Sequence, residues 1–537
     1  MARGMVEVEL VEDGPPPPDP GPDPATAWVR RALAATLRGA RRAVGFAAPR
    51  ALRAWRRPWL RWVAGALAAT LVAVPVVQAS RERTRLAALA QVPGVVRPLH
   101  PDLHVLFRVA ADSGQVLQQG FLVGGVVAAA VSGRSGTLSV VGLDASTGAH
   151  RWSTVLRPAG DPADSVWEAP VCGAAGSVIL CTGSEQLPTP GGSWMPTRTT
   201  AWVLDPADGH VLRSVAYDEH TWAAEAGGLL VVARQSGGPA RAPAAGPWTV
   251  TWQVTGEDPV TGAARWSWAS PGVTVSAGAE EQNASHDPTD YVSWLVGATP
   301  MLASDDVELA VGDDTWLLGA GGQEMTHVAR PGGWQVGTQG RAILRVANPD
   351  PADSTEPAAE LLTDDGSWRA VGGYPLWPAV DDGSVPDVLV REIPATGRDD
   401  DVLIGIDRHT GDTLWRTAAG PGLTLSAVQL DGRLYLGNPL RSIDVATGAV
   451  LWWADGSAGA SLLTTDGSVL LVGLSDTTAH VNAVEARSMR DGRLLWTADL
   501  RTLVLPSGKG NLAQVWASPA LRRLVASRAD GSAAVLG

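Results

Sequence analysis

The chain has 537 residues, of which 45% are apolar and 18% charged, so most of it can bury a core. Its net charge of −13 is unevenly distributed: residues 25–61 contain ten arginines and no acid, while residues 86–537 carry a charge near −20. Such an acidic surface is a poor partner for a polyanion, so we expect no nucleic-acid partner.

The first 57 residues divide into a tail and a basic segment. Residues 1–27 include Pro15 to Pro18 and are predicted to form a disordered, acidic, Pro-rich cytoplasmic tail. Residues 28–57 place apolar side chains at helical spacing with arginines between them. This pattern predicts a basic amphipathic juxtamembrane helix that lies on an anionic membrane leaflet. The pattern fits equally well a poorly ordered basic tail whose only role is to set the membrane topology.

Residues 59–79 are predicted to cross the membrane as an uncleaved signal anchor. About twenty mainly apolar residues span a bilayer, and Val63 to Val77 contains no charge. The arginine-rich flank belongs in the cytoplasm, which places the remainder outside it. A signal peptide cleaved after Ala79 is the alternative, although its basic region would be unusually long. We therefore expect a single-pass cell-membrane protein with a cytoplasmic N-terminus.

Residues 80–102 are predicted to form a short helical or extended stalk, and residues 103–537 an all-β domain. Short apolar strands alternate there with Gly, Asp-Gly and Pro turns, and no segment shows a helical period. The clearest units are Ile406 to Trp415 (IDRHTGDTLW) and Ile443 to Trp452 (IDVATGAVLW). Asp favours a turn and Gly can adopt a positive φ, so each unit predicts a hairpin whose Trp covers a sheet face.

The same turn motif, hydrophobic-Asp-x-x-Thr-Gly-x-x-x-Trp, recurs along the domain. Two weaker copies depart from it: Leu204 to Arg213 has Arg in place of the Trp, and Arg487 to Trp496 has Ser in place of the Asp. The residues predicted to form the structural repeat are Asp144, Gly148, Trp152, Asp258, Gly262, Trp266, Asp407, Gly411, Trp415, Asp444, Gly448, Trp452, Gly492 and Trp496.

About four strands in every 37 to 60 residues are typical of a β-propeller with four-stranded antiparallel blades, in which neighbouring blades bury each other's faces. A lone strand at His104 to Val109 can pair with the last strands and close the ring, which removes exposed edges. We expect eight blades, with seven or nine as alternatives. The eight repeats are placed at 121–156, 167–219, 220–269, 290–328, 333–373, 375–418, 425–455 and 460–500.

The turn motif resembles the tryptophan-docking repeat of the quinoprotein, or pyrroloquinoline quinone (PQQ)-like, propellers. This repeat occurs in PQQ-dependent alcohol dehydrogenases and in the non-enzymatic propellers of outer-membrane-protein assembly lipoproteins. The resemblance implies the fold and is closer to the non-enzymatic branch. The dehydrogenases carry two adjacent cysteines in a disulfide beside the quinone, whereas Cys172 and Cys181 are nine residues apart. These two form either a cross-strand disulfide in an oxidising compartment or two buried thiols.

No pattern in the sequence indicates a catalytic residue, a metal site or a cofactor. There is no CxxCH sequence for a haem and no GxSxG elbow for a hydrolase. The acidic pairs lack the spacing of a calcium loop and are more simply solvated turns. These pairs and runs are Asp305-Asp306, Asp313-Asp314, Asp364-Asp365, Asp381-Asp382 and Asp399 to Asp401.

Four polar insertions, 234–247, 279–290, 348–359 and 394–401, are candidate partner surfaces, with tolerated insertions as the alternative. The predicted function is a membrane-anchored, extracytoplasmic module that binds or scaffolds another envelope protein and is not an enzyme. Two alternatives are a PQQ-dependent dehydrogenase and a transmembrane sensor of an external ligand. The sequence identifies neither the partner nor the oligomeric state.

Overall fold

The structure is a computed structural model. It describes residues 80–133, 136–158, 166–167, 170–188, 194–218, 221–238, 247–276, 296–297, 306–311, 314–329, 334–339, 341–347, 359–393, 401–420, 427–437, 439–454, 460–475, 481–505 and 512–537. By its internal contacts the chain divides into Met1–Arg85 and Leu86–Gly537. The predicted tail, basic segment and anchor (1–79) lie outside the described residues. Within the described ranges, no helix is both long enough and apolar enough to cross a membrane.

Leu86–Gly537 is a β-propeller whose described strands form nine sheets, each built on four main strands. The prediction of eight blades is therefore wrong. Each of the eight predicted repeats forms one sheet, and strands from the two ends of the domain form a ninth. The ninth sheet lacks the turn motif, because its fourth strand comes from the start of the domain and no turn joins it to the third. The sequence pattern therefore does not indicate a separate repeat there.

The first strand of the domain, β1, belongs to the ninth blade, and blades 1 to 3 follow it. The strands are β1 (Val105–Val109); in blade 1, β2 (Phe121–Val123), β3 (Val126–Ser132), β4 (Leu138–Asp144) and β5 (His150–Arg157); in blade 2, β6 (Val166–Trp167), β7 (Val171–Ala175), β8 (Val178–Pro188), β9 (Trp194–Leu204) and β10 (Val211–Tyr217); and in blade 3, β11 (Thr221–Ala226), β12 (Leu229–Gly237), β13 (Pro247–Glu257), β14 (Ala264–Ala269) and β15 (Val273–Ser276).

Blades 4 to 6 repeat this order, and a short strand, β25, lies in the connection between the first two main strands of blade 6. The strands are, in blade 4, β16 (Val296–Gly297), β17 (Val307–Val311), β18 (Asp314–Leu318) and β19 (Glu324–Ala329); in blade 5, β20 (Trp334–Gln339), β21 (Ala342–Ala347), β22 (Ala359–Leu362) and β23 (Trp368–Val371); and in blade 6, β24 (Tyr374–Pro375), β25 (Val380–Asp381), β26 (Val388–Ile393), β27 (Asp401–Asp407) and β28 (Thr413–Gly420).

Blades 7 to 9 complete the ring, and β1 is the fourth strand of blade 9. The strands are, in blade 7, β29 (Ala427–Leu430), β30 (Arg433–Leu436), β31 (Arg441–Asp444) and β32 (Val450–Trp453); in blade 8, β33 (Ala460–Thr465), β34 (Val469–Ser475), β35 (Val481–Ser488) and β36 (Leu494–Asp499); and in blade 9, β37 (Leu512–Ser518), β38 (Arg523–Arg528) and β39 (Ala533–Leu536). The short strand β25 pairs in parallel with β29.

Two helices interrupt the all-β domain and correct the expectation that it has none: α1 (Ala111–Gln119) follows β1, and α2 (Leu500–Val504) follows β36. They are nine and five residues long, too short to give a clear helical period in the sequence. α1 buries Val116 and Leu117 between blades 9 and 1. α2 buries Leu500 and Val504 between blades 8 and 9. Both helices therefore fill seams of the ring.

The core lies in the seams between blades. Strand β13 alternates exposed and buried positions, with Trp248, Val250, Trp252 and Val254 pointing into one face. Apolar clusters join each neighbouring pair of blades except blades 4 and 5, within the part of the chain that the structure describes. Blades 4 and 5 thus contribute to one cluster each and the other seven blades to two, which explains why single blades need their neighbours.

The antiparallel strand order assigns every connection to one of two faces of the propeller. Connections between first and second strands and between third and fourth strands share one face, here called the turn face. Connections between second and third strands and between successive blades leave from the other, the loop face. The strand ends that flank the four predicted insertions all belong to the loop face. Residues 279–290 and most of the other three insertions lie outside the described residues.

The segment 86–104 lies on the turn face. Leu89, Val95, Val96 and Leu99 are buried against blades 7, 8 and 9, so much of the predicted stalk packs on the propeller. Hydrogen bonds to the backbone of this segment fasten it to the propeller. They include Val96 N to Thr465 O (3.0 Å), Arg97 N to Arg522 O (2.8 Å), Thr464 Oγ1 to Gly94 O (2.7 Å) and Arg522 Nε to Val95 O (2.9 Å).

The ring closes where β1 pairs with β39. The backbone groups of His104 and Gly537 exchange two hydrogen bonds of 3.1 Å at the end of this ladder. The predicted closing strand, His104 to Val109, thus pairs with the C-terminal strands as expected. The two ends of the domain are therefore joined within one sheet, blade 9.

Candidate functional site

Each repeat motif forms a tight turn on the turn face. In blade 1, Asp144 Oδ1 accepts hydrogen bonds from Ser146 N (2.9 Å) and Thr147 N (3.0 Å), and Gly148 has a φ of +70°. The hydrogen bond from Ser146 Oγ (2.5 Å), followed by those from Ser146 N and the Arg151 guanidinium, holds the pKa of the Asp144 carboxyl well below its usual range. Asp258, Asp407 and Asp444 accept the same type of backbone hydrogen bond. The Asp residues of the motif therefore shape turns.

The Trp of each full motif reaches the turn of the following blade. The indole N–H groups donate to backbone oxygens there: Trp152 to Pro206 (2.9 Å), Trp266 to Ala320 (2.9 Å), Trp415 to Val445 (2.8 Å) and Trp452 to Met489 (3.2 Å). The rings lie where a Cβ on the Gly of that turn would stand, at Gly209, Gly322, Gly448 and Gly492. Trp496 differs, because blade 9 has no turn between its third and fourth strands; it packs partly buried between blades 8 and 9.

Two other residue types occupy the same docking position. Arg213 stands in for the Trp of blade 2, and its Nη1 donates to Pro259 O (3.1 Å) beside Gly262 of blade 3. Phe107 on β1 covers Gly148 and so joins blade 9 to blade 1. The sequence did not reveal Phe107, because it lies outside any turn motif. Gly411 of blade 6 faces the stem of Arg369 from blade 5.

The residue that pairs with each docking residue on the neighbouring strand also follows a pattern. Trp152, Trp266 and Trp415 pair across the sheet with Gly142, Gly256 and Gly405. The remaining partners are small where the docking residue is Trp and larger where it is Arg: Trp452 faces Ser442, Trp496 faces Ala486 and Arg213 faces Val203. The sequence contained this signal two residues before each Asp of the motif.

The structure joins Cys172 and Cys181 in a disulfide between the paired strands β7 and β8. Cys181 is fully buried and packs in the cluster that contains Trp152 and Trp202. The bond therefore lies in the seam between blades 1 and 2. It differs from the disulfide expected at a quinone site, which joins two adjacent cysteines, because these two cysteines lie on separate strands.

The acidic pairs take part in local hydrogen bonds. Asp306 accepts from Thr338 Oγ1 (3.0 Å), and Asp365 accepts from Thr363 Oγ1 (2.6 Å). Asp314 lies 2.6 Å from His327 Nε2. Within the described ranges, no group of three or more His, Cys, Asp or Glu side chains is placed to hold a metal ion. Asp305, Asp313, Asp399 and Asp400 lie outside those ranges.

One acidic pair, Asp381-Asp382, lines a cavity of about 330 Å³ on the turn face of blades 5 to 7. Its walls combine buried apolar side chains with two amides and one exposed cation at the rim, Arg341. The residues come from three blades, so no sequence motif could have indicated the site. The lining residues are Gln339, Arg341, Leu376, Pro378, Asp381, Asp382, Gly383, Val385, Pro386, Val388, Leu389, Val390 and Gln429.

The carboxyl of Asp381 is the group in this cavity with an altered acidity. Loss of surrounding water raises its pKa, although the residue as a whole remains exposed, and the neighbouring Asp382 carboxylate adds to the effect. Hydrogen bonds from Gly383 N (2.8 Å) and from the buried Gln429 Nε2 (3.2 Å) act in the opposite direction. Asp381 is thus a carboxylate that would gain from a nearby cation.

Two further polar groups define the cavity. Asp382 Oδ2 accepts a hydrogen bond from Asp431 N (2.7 Å), which anchors the β24–β26 connection to blade 7. Gln339 Nε2 donates to Leu376 O (3.1 Å), while its buried Oε1 has no hydrogen-bond partner among the described residues. A buried amide oxygen without a donor is costly. The cavity therefore offers an acceptor at Gln339 and a negative charge at Asp381.

No family model and no curated protein matches the sequence. Solved structures that are similar include the computationally designed Ika8 protein (12% identity, 83% of this chain and 99% of that chain, TM-score 0.30), the Dos1 propeller (9%, 84% and 96%, 0.34) and a quinohemoprotein alcohol dehydrogenase from Pseudomonas putida HK5 (14%, 84% and 81%, 0.31). This chain is a β-propeller. The nine sheets and the docking contacts establish that fold, and similarities this low say nothing about function.

Proposed function

We propose that the protein is a membrane-anchored, extracytoplasmic β-propeller that binds another protein of the cell envelope. In this proposal the cavity of blades 5 to 7 receives a basic side chain of the partner. The observation that carries it is that one cavity with apolar walls contains both the Asp381 carboxylate and Gln339, whose buried Oε1 has no hydrogen-bond partner among the described residues. Binding, rather than oxidation at a quinone, is the activity we propose.

A lysine or arginine side chain matches the two parts of this cavity. Its methylene stem can lie along Leu376, Leu389 and Val390, which are buried in the cavity wall. Its charged end can then donate to Asp381 and to Gln339 Oε1. A charge-assisted hydrogen bond is roughly twice as strong as a neutral one, and a nearby cation favours the ionised form of a carboxyl whose pKa burial has raised.

The segment 86–104 supports a location at the membrane surface. It follows the predicted anchor, 59–79, with only a short stretch between, and it is fastened to the same turn face that contains the cavity. In this proposal the partner is a membrane protein or a protein held close to the membrane.

Site-specific photo-crosslinking of the full-length protein in its own membrane tests the proposal. A photoreactive residue replaces Arg341 at the rim, and a matched control replaces Arg416, which is exposed on blade 6. We expect one defined adduct from position 341 that is absent from position 416, with the crosslink mapped beside a basic residue of the partner. Equal adducts at both positions would contradict the proposal.

Substitutions in the cavity provide the second part of the test. Asp381→Asn keeps the size of the side chain and removes its charge, so we expect it to weaken partner binding by roughly tenfold or more. Arg341→Ala removes a positive charge from the rim and should leave binding unchanged or strengthen it. Retained binding in Asp381→Asn, or dye-linked alcohol oxidation after addition of quinone and Ca²⁺, would overturn the proposal.

A further inference from the structure

A second and larger cavity, of about 580 Å³, lies on the turn face where the ring closes. Its walls come from blade 9, from blade 1 and from the segment 86–104. It is separate from the cavity of blades 5 to 7, with which it shares no residue. The lining residues are Arg97, Leu106, Phe107, Gly125, Asp144, Ala145, Ser146, Arg151, Leu521, Arg523 and Val535.

Positive charge accumulates at this cavity although the propeller is strongly acidic. The guanidinium groups of Arg97 and Arg523 line it, and neither has a carboxylate partner among the described residues. Arg522 lies beside them, and its Nε donates to Val95 O (2.9 Å). Burial lowers the pKa of Arg522 and Arg523, and the positive charge of Arg97 lowers both further. These like charges repel one another, and an anion between them would relieve that repulsion.

The other charged groups that line the cavity neutralise each other. Arg151 Nη2 lies 2.6 Å from Asp144 Oδ2. The second carboxylate oxygen of Asp144 accepts hydrogen bonds from Ser146 and Thr147. Asp144 is therefore committed to its own turn and to Arg151. The uncompensated charge of the cavity is that of Arg97 and Arg523.

Apolar side chains form the rest of the wall and indicate what accompanies the anion. Leu106 lines the cavity and is 41% exposed. Phe107, Leu521 and Val535 line the same space. A volume of about 580 Å³ falls in the usual range for small-molecule sites. It is much larger than one inorganic anion needs, so the ligand has an apolar body as well.

We propose that this cavity binds an amphiphilic phosphate, with its anionic group between Arg97 and Arg523 and its apolar body against Leu106 and Phe107. Guanidinium groups bind phosphate oxygens through charge-assisted, often bidentate hydrogen bonds. Two sources share this chemistry: an anionic phospholipid of the membrane, and a soluble phosphate ester. The site is distinct from the proposed partner cavity, so either proposal can fail without the other.

Calorimetric titration of the full-length protein in a non-ionic detergent tests the site, with monohexyl phosphate as the probe. We expect binding to the wild type and a loss of about tenfold or more in Arg97→Gln/Arg523→Gln. Arg416→Gln, which removes one exposed charge from blade 6, should bind like the wild type. No binding to the wild type, or equal losses in the double variant and in Arg416→Gln, would overturn the proposal.

A stability measurement separates loss of a ligand site from loss of the fold. Because Arg97 and Arg523 repel each other, Arg97→Gln alone should leave the thermal unfolding midpoint unchanged or raise it. A clear fall in the midpoint of Arg97→Gln would show a structural role instead and would count against the site.

Inorganic phosphate should bind more weakly than monohexyl phosphate, and equal affinities would refute an apolar subsite.

Native mass spectrometry of the detergent-solubilised full chain distinguishes the two sources. In one outcome the wild type retains one phosphatidylglycerol molecule and no phosphatidylcholine, while Arg97→Gln/Arg523→Gln retains neither. That result supports the site and identifies its ligand as a membrane lipid. Binding of monohexyl phosphate without retained phosphatidylglycerol supports the site and identifies a soluble ester. Binding of neither ligand overturns it.

Discussion

Trp415 of blade 6 occupies the place where a side chain of Gly448 in blade 7 would stand. A Cβ built on Gly448 would lie 2.5 Å from the indole ring, and Trp415 Nε1 donates to Val445 O, three residues earlier, at 2.8 Å. The indole ring and the glycine turn thus fit as one contact across a seam. This contact joins two of the blades from which the partner cavity is built.

Trp415→Ala should lower the free energy of unfolding by about 3–5 kcal/mol, because the ring is 8% exposed and its loss leaves a cavity and an unpaired Val445 oxygen. Trp452→Ala should cost less, since Trp452 is only partly buried. Chemical denaturation of both variants measures the difference. Trp377→Ala, at a ring that is 41% exposed, is the control and should change stability little. An unchanged midpoint for Trp415→Ala would contradict the docking role.

Two glycines separate the effect of backbone strain from that of the docking contact. Gly448 and Gly366 both have positive φ, +69° and +80°, but a Cβ at Gly366 meets nothing within 4 Å. Gly366→Ala should therefore cost only the backbone strain, about 1–2 kcal/mol. Gly448→Ala should cost a further 1–3 kcal/mol or so from overpacking against Trp415. Equal losses in the two variants, measured by chemical denaturation, would show that the indole contact is unimportant.

The turn chemistry was predictable from the sequence, and the long-range pairings were not. Asp, Gly and Trp at fixed spacing indicated the hairpins because the Asp and the Gly act within the turn and the Trp follows them on the next strand. Phe107 was missed because it lies outside any turn motif, although the turn at Gly148 that it covers belongs to a full copy. The ninth blade was missed because its four strands come from both ends of the domain. The partner cavity joins Gln339 to Gln429, and only the packing of three blades brings them together.

Blade 2 offers a test of the pairing rule, since its docking residue is Arg213 and its cross-strand partner is Val203. In three other blades the residue opposite the Trp is Gly. Arg213→Trp alone should be destabilising, because the indole meets the Val203 side chain. Adding Val203→Gly should recover part of that loss.

The double-mutant cycle of Arg213→Trp and Val203→Gly measures this coupling directly. We expect a favourable interaction energy of about 1 kcal/mol or more between the two substitutions. Additive losses would mean that the small residue opposite each Trp has no steric role. Val203→Gly alone should be destabilising, since Val203 is buried in the seam between blades 2 and 3.

His409 joins blades 5 and 6, at a seam where the stem of Arg369, and not a Trp, faces the motif glycine Gly411. Its Nδ1 lies 2.7 Å from Asp364 in blade 5, and its Nε2 lies 3.1 Å from Asp387 in blade 6. The hydrogen bond to Asp364, followed by that to Asp387, raises the pKa of His409, and nearby Arg408 opposes the shift. The imidazolium form, which donates from both nitrogens, is the form that fits this arrangement.

The sign of the pH effect follows from that raised pKa. The folded protein holds the His409 proton more tightly than the unfolded chain, so the stabilisation is complete below the unfolded pKa of about 6.5. It is lost as the pH rises through the higher folded pKa. His409→Gln should therefore lower the thermal unfolding midpoint at pH 5.5 or so and have a smaller effect near pH 8.5. Asp364→Asn, which removes the main partner, should show the same trend. A difference from wild type that does not vary across this range, or that grows with pH, would refute the charged contact between the two blades.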